Sequence, residues 1–218
     1  MKIKYLGHAS FVLELGDGRT IIFDPYESGA YNGALAYSPI TGSFDVAVVS
    51  HEHADHRDTD VISRSKNVVE DTGEFEFDGI RIKSFSVFHD ESEGRERGRN
   101  RISIVEADGL RVAHLGDLGH RLSDTEAANL KGVDVAFVPV GGHFTIGAEA
   151  ARDVVTGIDP RIVIPMHFKT PKVDFPIKGV EDFVSLMDDV ERIAGSEFVV
   201  NAKSLPEKTK VVVLDPAN

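Results

Sequence analysis

The chain has 218 residues, with 24 Lys and Arg against 36 Asp and Glu, a formal net charge of −12. That balance repels polyanions at long range, so nucleic acid is not an expected partner. The absence of cysteine excludes disulfides, thiolate nucleophiles and thiolate-held zinc or iron–sulfur clusters.

Short β runs dominate the first half. Residues 2–7 and 11–15 read as strands, Gly16-Asp17-Gly18-Arg19 as a turn, and 20–24 as the answering strand of a hairpin. Residues 45–50 form a short buried-type strand, with a helix expected soon after His56. Asp78-Gly79 between 74–77 and 80–88, and Asp108-Gly109 between 102–107 and 110–115, mark two further hairpins, because both turn positions favour positive φ. A short helix is expected around 123–130. Strands at 134–140 and 161–165 then enclose a helix over about 146–157, with Thr145 as its N-cap and Ile146, Ala150, Val154 and Val155 on one side. A longer helix is expected over about 179–194, carrying Val180, Phe183, Val184, Met187, Val190 and Ile193 on one stripe, and strands at 197–201 and 210–215 close the chain. No linker divides residues 1–218, which read as one domain of two sheets with helices outside. No apolar run approaches the ~18 residues needed to span a bilayer, and the first residues lack the apolar core of a secretory signal, so a cytoplasmic location is expected.

The segment His51-Glu52-His53-Ala54-Asp55-His56 places three of the nine histidines in six positions, directly after a strand. Imidazole and carboxylate are the ligands of choice for zinc, manganese and iron where no thiolate is available. Residues at i and i+2 leaving a strand can turn toward one ion, and Asp55 and His56 can face a second. One ion would polarise a substrate while the other helps generate hydroxide. Further candidates sit where β runs end: His89, Asp117 and His167. Singly each is a weak indication; together they outline a metal site mounted on the rim of a sandwich.

The His51-x-His53-x-Asp55-His56 pattern resembles the hallmark of the metallo-β-lactamase superfamily, and Asp24, His89, Asp117 and His167 follow the order of its other motifs. The words Leu6-Gly7-His8-Ala9-Ser10, His114-Leu115-Gly116-Asp117-Leu118-Gly119-His120, Pro139-Val140-Gly141-Gly142 and Ile164-Pro165-Met166-His167 are similar to a bacterial and archaeal branch of metal-dependent hydrolases near the L-ascorbate phosphate lactonase group. The resemblance implies an α/β four-layer αββα sandwich. It also implies two divalent metal ions, zinc first, with manganese or iron as alternatives. His51, His53 and His89 would hold one ion, Asp55, His56 and His167 the other, and Asp117 would bridge them. Hydroxide between the ions would attack, oriented by Asp55. The third motif departs from the Pro-Gly-His-Thr of other branches, reading Val87-Phe88-His89-Asp90, which leaves Asp90 open as a substitute ligand or as a support.

Ligating histidines need acceptors for their other ring nitrogen; Asp24 is the best candidate, and His8 can join it. His143 can reach the site as a proton donor or substrate contact, or simply cap the following helix; His114 is expected to be structural. The segment 25–43 brings Tyr26, Tyr31 and Tyr37, either as an aromatic wall or as anchors of a surface loop. Arg95, Arg97, Arg99 and Arg101 either bind an anion or form a solvated loop. The expected function is a metal-dependent hydrolase of a small, anionic phosphoester or lactone. The rivals are a nuclease or RNA-processing enzyme and a non-catalytic metal-binding relative.

Overall fold

Fourteen strands, four short helices, a left-handed turn at Ala30–Gly33 and a 3-10 turn at Ala202–Ser204 make up the computed structural model, which describes residues 1–218. The strands are β1 (Lys2–Gly7), β2 (Ser10–Glu14), β3 (Thr20–Phe23), β4 (Val46–Val48), β5 (Asn67–Val69), β6 (Gly73–Phe77), β7 (Ile80–Phe88), β8 (Arg99–Ala107), β9 (Leu110–His114), β10 (Val135–Pro139), β11 (Ile162–Met166), β12 (Val190–Ile193), β13 (Glu197–Val199) and β14 (Lys210–Leu214). The helices are α1 (Thr59–Ser63), α2 (Asp124–Asn129), α3 (Ala148–Ile158) and α4 (Glu181–Val184). A six-stranded sheet runs β13-β1-β2-β3-β4-β5, and an eight-stranded sheet runs β12-β14-β11-β10-β9-β8-β7-β6.

Alternation along each strand assigns the faces. In β3, Ile21 and Phe23 join the main core while Ile22 joins a second cluster on the other side; in β4, Val46 and Val48 go inward and Ala47 outward. Between the sheets the rings of Phe11 and Phe137 stack at 4.0 Å with an 8° interplanar angle, and Phe23 meets Phe137 edge-on at 5.9 Å. The strands β10 and β11 are buried along their whole length, as expected of parallel strands covered on both faces. The crossover helix α3 covers that sheet's outer side through Ala151, Val154, Val155 and Ile158, an i, i+3, i+4, i+7 stripe. The opposite outer layer is mostly irregular chain: Tyr26, Leu35, Tyr37 and Ile40 from the segment 25–43 pack with Val61 of α1 and with Val173 and Ile177. The four-layer αββα arrangement therefore stands, although one of its outer layers is thin in helix.

Two local expectations are corrected, and one strand is added. The long helix over 179–194 does not form: α4 ends at Val184, and Val190–Ile193 pairs in parallel with Val211–Leu214 as β12. Its apolar stripe fits two short elements as well as one helix, and the backbone hydrogen bonds offered by β14 decide the matter. Thr145 is not an N-cap; Gly147 holds that position, and the Thr145 hydroxyl donates to the Ile146 carbonyl. The strand β5, which extends the parallel arm of the first sheet beside β4, has too short an apolar run to read from sequence.

Phe137→Ala removes the ring on which both Phe11 and Phe23 rest. It is expected to cost about 3–5 kcal/mol in a denaturant titration. Val199→Ala, at a position 71% exposed, is expected to stay within about 0.5 kcal/mol of the parent.

Candidate metal centre

The C-terminal ends of β1, β3, β4, β7, β9 and β11 all open onto one rim of the sandwich, and each delivers a polar side chain there. His8 follows β1, Asp24 follows β3, His51 lies three residues beyond β4, His89 follows β7, Asp117 lies three residues beyond β9, and His167 follows β11. Three of these turns are sharp enough to need left-handed backbone: φ is 55° at His8, 42° at Asp24 and 52° at His167. Non-glycine residues persist there only when their surroundings hold them. The holding bonds are visible: the Asp24 N–H donates to Val48 O at 2.9 Å, and the His167 N–H donates to His8 O at 2.8 Å.

Asp117 is the hub. Its Oδ1 lies 3.1 Å from His56 Nε2, and its Oδ2 lies 3.2 Å from His89 Nε2, 3.3 Å from His167 Nε2 and 3.8 Å from His51 Nε2. Around it the donor atoms gather into groups small enough to share an ion: His51 with His53 and His89, Asp55 with His8, His56 and His167, and His51 with His56 and Asp117. All seven candidate ligands expected from sequence thus converge.

A ring of hydrogen bonds orients them. Asp24 accepts from the Ser50 N–H at 2.7 Å, from the Ser50 hydroxyl at 2.6 Å and from His56 Nδ1 at 2.7 Å, while the Ser50 Oγ lies 2.9 Å from His51 Nδ1. His8 Nε2 donates to Asp55 Oδ2 at 2.9 Å, and the Tyr31 hydroxyl donates to Asp55 Oδ1 at 3.0 Å. Burial pushes His8 down to about 4, reinforced by neighbouring His167, so its ring is neutral and donates through Nε2 alone. Burial opposes ionisation of Asp55 and Asp117. The adjacent histidines outweigh it, His56 and His8 at Asp55 and His167 and His56 at Asp117, and hold both carboxyls below the usual range. Burial also opposes charge on His56, but Asp117, Asp55 and Asp24 together raise it well above the ordinary imidazole.

The residues fit a divalent metal. His56 Nε2 and Asp117 Oδ1, which face each other 3.1 Å apart at the centre, are both buried and left without a hydrogen bond, a state that native interiors otherwise avoid. All-nitrogen-and-oxygen donors suit zinc, manganese or iron.

Asp90, left open as a ligand, has another task. Its carboxylate accepts from the backbone N–H groups of Ser92, Gly94, Glu96 and Arg97 at 2.7–3.0 Å, so it closes its own loop. Partial desolvation opposes its charge, but these four donors win and lower it to about 2.

The cluster floors a cavity of about 290 Å³, whose walls include Tyr31, Arg97, Phe144 and Phe175. Phe144 and Phe175 carried no sequence signal, lying in loops without periodicity, and neither did Ser50. His143 is exposed and does not line the cavity; its ring stands edge-on to Phe144 at 4.5 Å. Of the three tyrosines of 25–43, Tyr26 and Tyr37 are core and only Tyr31 reaches the site. His114 is structural, as expected: Nε2 donates to Ala9 O at 2.8 Å, and its ring stacks on Phe23. Two glycines of the quoted motifs are explained by close approach. A Cβ on Gly119 would fall 2.2 Å from the His89 carbonyl carbon, and one on Gly141 would fall 2.2 Å from the His167 carbonyl oxygen.

A family model for the beta-lactamase superfamily domain matches residues 2–167. A UPF0173 metal-dependent hydrolase of Thermococcus onnurineus is 32% identical over 197 residues, which cover 78% of this chain and 85% of that protein. One from Thermococcus kodakarensis is 33% identical over 216 residues, covering 87% and 93% respectively. A Thermotoga maritima crystal structure, assigned as a Zn-dependent hydrolase of the metallo-beta-lactamase superfamily, superposes with a TM-score of 0.80 at 33% identity. The match covers 98% of this chain and 97% of that one. The chain belongs to the metallo-β-lactamase superfamily, among its metal-dependent hydrolases.

Asp24→Asn removes the charge that holds His56 and Ser50 in place. Loss of such a supporting carboxylate typically costs 10–100-fold in metal affinity. Calorimetric titration of chelator-stripped protein with zinc is expected to show a weakening of about that size; unchanged affinity would exclude the supporting role.

Proposed function

We propose that this hydrolase uses a binuclear metal centre to cleave a phosphoester or lactone bond in a small anionic molecule. The observation that carries the reading is the convergence of one all-imidazole group, His51, His53 and His89, and one imidazole–carboxylate group, Asp55, His56 and His167 with His8, on one buried carboxylate, Asp117, whose Oδ1 has no hydrogen bond. His51, His53 and His89 would hold one ion, Asp55, His56 and His167 a second, and Asp117 would lie between them. Zinc is the favoured metal; manganese and iron suit the same donors. When bound, such ions polarise the electrophilic oxygen and make hydroxide available near neutral pH.

The chain's own residues do the rest. Asp24 and Ser50 fix the rings of His56 and His51 so that their opposite nitrogens face the centre. His8 and Tyr31 each donate to one oxygen of Asp55, orienting that carboxylate at the edge of the cavity, where it can align the attacking water. The cavity admits a small molecule and is too confined for a folded polymer, and the net charge of −12 opposes RNA.

The test is hydrolysis of bis-p-nitrophenyl phosphate by stripped protein supplied with manganese or with zinc. A parallel arm uses γ-butyrolactone, its ring opening followed by acid release. Turnover restored by metal, and lowered at least ~100-fold in Asp55→Ala, is expected. Turnover of the lactone alone would select that bond class. Silence of both substrates with both metals would overturn the hydrolytic reading.

A further inference from the structure

The cavity beside the cluster has features that hydrolysis alone does not use. Three aromatic rings reach it from three separate loops. Tyr31 comes from the left-handed turn Ala30–Gly33, Phe144 from the turn after β10, and Phe175 from the segment following His167. Phe175 is central: its ring stands edge-on to Tyr31 at 5.5 Å and to Phe144 at 5.8 Å. Backbone bonds tie these loops down: the Asp174 N–H donates to Ala34 O and the Phe144 N–H to Gly142 O, both at 2.7 Å. None of the three side chains is fully buried, and Tyr31 is 48% exposed. The rings therefore offer fixed apolar faces to whatever enters, and a ligand that covers them gains by burial.

Arg97 is the second feature. Its backbone N–H is one of the four that Asp90 holds, so a buried anchor fixes the loop while the side chain extends to the cavity. The guanidinium lies over the Phe144 ring, 5.8 Å from its centroid. Its one carboxylate partner is Glu96, its exposed neighbour in sequence, at 3.4 Å. The other arginines of the run do not line the cavity. Arg95 is exposed, Arg99 stacks on Phe88 and bonds the Ser86 hydroxyl, and Arg101 donates to Val49 O beneath the metal loop. A lone cation over an aromatic face, at the wall of a cavity, is placed to pair with an anion whose organic part lies on the rings.

We infer that the cavity takes an ester joining a planar apolar group to a single anionic group, with Phe144 and Phe175 contacting the first and Arg97 the second. The inference rests on the hydrolase reading of the same site and says which hydrolysable molecules enter. At about 290 Å³ the cavity is at the small end of ligand sites, sized for one ring and one charged group. Phosphoryl and carboxylate groups both match the guanidinium fork.

The test is calorimetric binding of phenylphosphonate, methylphosphonate, benzoate and benzyl alcohol to the zinc-loaded protein. Phenylphosphonate is expected to bind at least about tenfold tighter than methylphosphonate, and Phe175→Ala to erase most of that margin. Arg97→Met is expected to weaken phenylphosphonate and benzoate about tenfold while leaving benzyl alcohol unchanged. The ratio of phenylphosphonate to benzoate then identifies the preferred anion. Equal affinity for the two phosphonates, or no response of either anion to Arg97→Met, would overturn the inference. Zinc stoichiometry is measured for each variant, because Phe175 packs on His8; Arg97 touches no candidate ligand and keeps the test valid if Phe175→Ala loses metal. Turnover of bis-p-nitrophenyl phosphate and of the lactone on the same samples separates the two readings. Selectivity without turnover sinks the hydrolase alone, and turnover without selectivity sinks the ligand assignment alone.

Discussion

Asp117 is 2% exposed, and one of its carboxylate oxygens has no hydrogen bond at all. An ionised carboxylate withdrawn from water is tolerated only when paired or coordinated. Its neighbours Asp24 and Asp55, also buried, have solved that problem with protein donors: the Ser50 amide and hydroxyl for one, His8 and Tyr31 for the other. Asp117 has only imidazoles around it. His56 lies within 3.6 Å of all three carboxylates, which raise it well above the ordinary imidazole. A divalent ion held by these residues would supply positive charge at the same point in place of an imidazole proton, so the need for such charge at Asp117 and a capacity to bind metal would be one property.

The fold exists, from the site's point of view, to bring that charge and its partners together from strands far apart in sequence. The six-stranded sheet supplies His8, Asp24 and the run His51–His56, and the eight-stranded sheet supplies His89, Asp117 and His167. Their spacing is therefore set by the distance between the sheets. The stack of Phe11 on Phe137 and of Phe23 on His114 fixes that distance directly beneath the rim. His114 extends this floor to the site, with Nδ1 accepting from the Gly116 N–H and lying 3.8 Å from Asp24 Oδ2. Gly119 and Gly141 then let neighbouring loops close to backbone contact against His89 and His167, which locks the left-handed turn at His167 in place.

The contiguous part of this centre was legible because its chemistry is local. Three histidines and an aspartate in six positions after an apolar strand have few other uses. His89, Asp117 and His167 were legible only as polar residues at strand ends, and their grouping came from the resemblance, because pairing across two sheets leaves no trace in spacing. What escaped did so for physical reasons. Ser50 is an ordinary strand-end serine until Asp24 folds against it. Phe144 and Phe175 lie in loops with no period to mark a face. The apolar stripe over 179–194 obeys helical spacing, but β14 offered Val190–Ile193 an unfilled sheet edge, and those bonds outweighed the propensity. The arginine run looked like one patch and is four separate solutions, of which only Arg97 reaches the cavity.

That single arginine also resolves an apparent conflict between an acidic chain and an anionic ligand. Even two divalent ions would leave the molecule net negative, so its far field repels anions and repels polyanions most. Screening confines that repulsion to about 10 Å at moderate ionic strength. Inside the cavity a small anion of the proposed kind would meet Arg97 and the candidate metal centre at contact distance, partly shielded from water by the aromatic rings, where local attraction would exceed the distant repulsion. A polymer cannot make that exchange: most of its charges stay outside, facing the acidic surface. On the proposed reading, the charge distribution would discriminate by size, admitting one anionic group and turning away a chain of them.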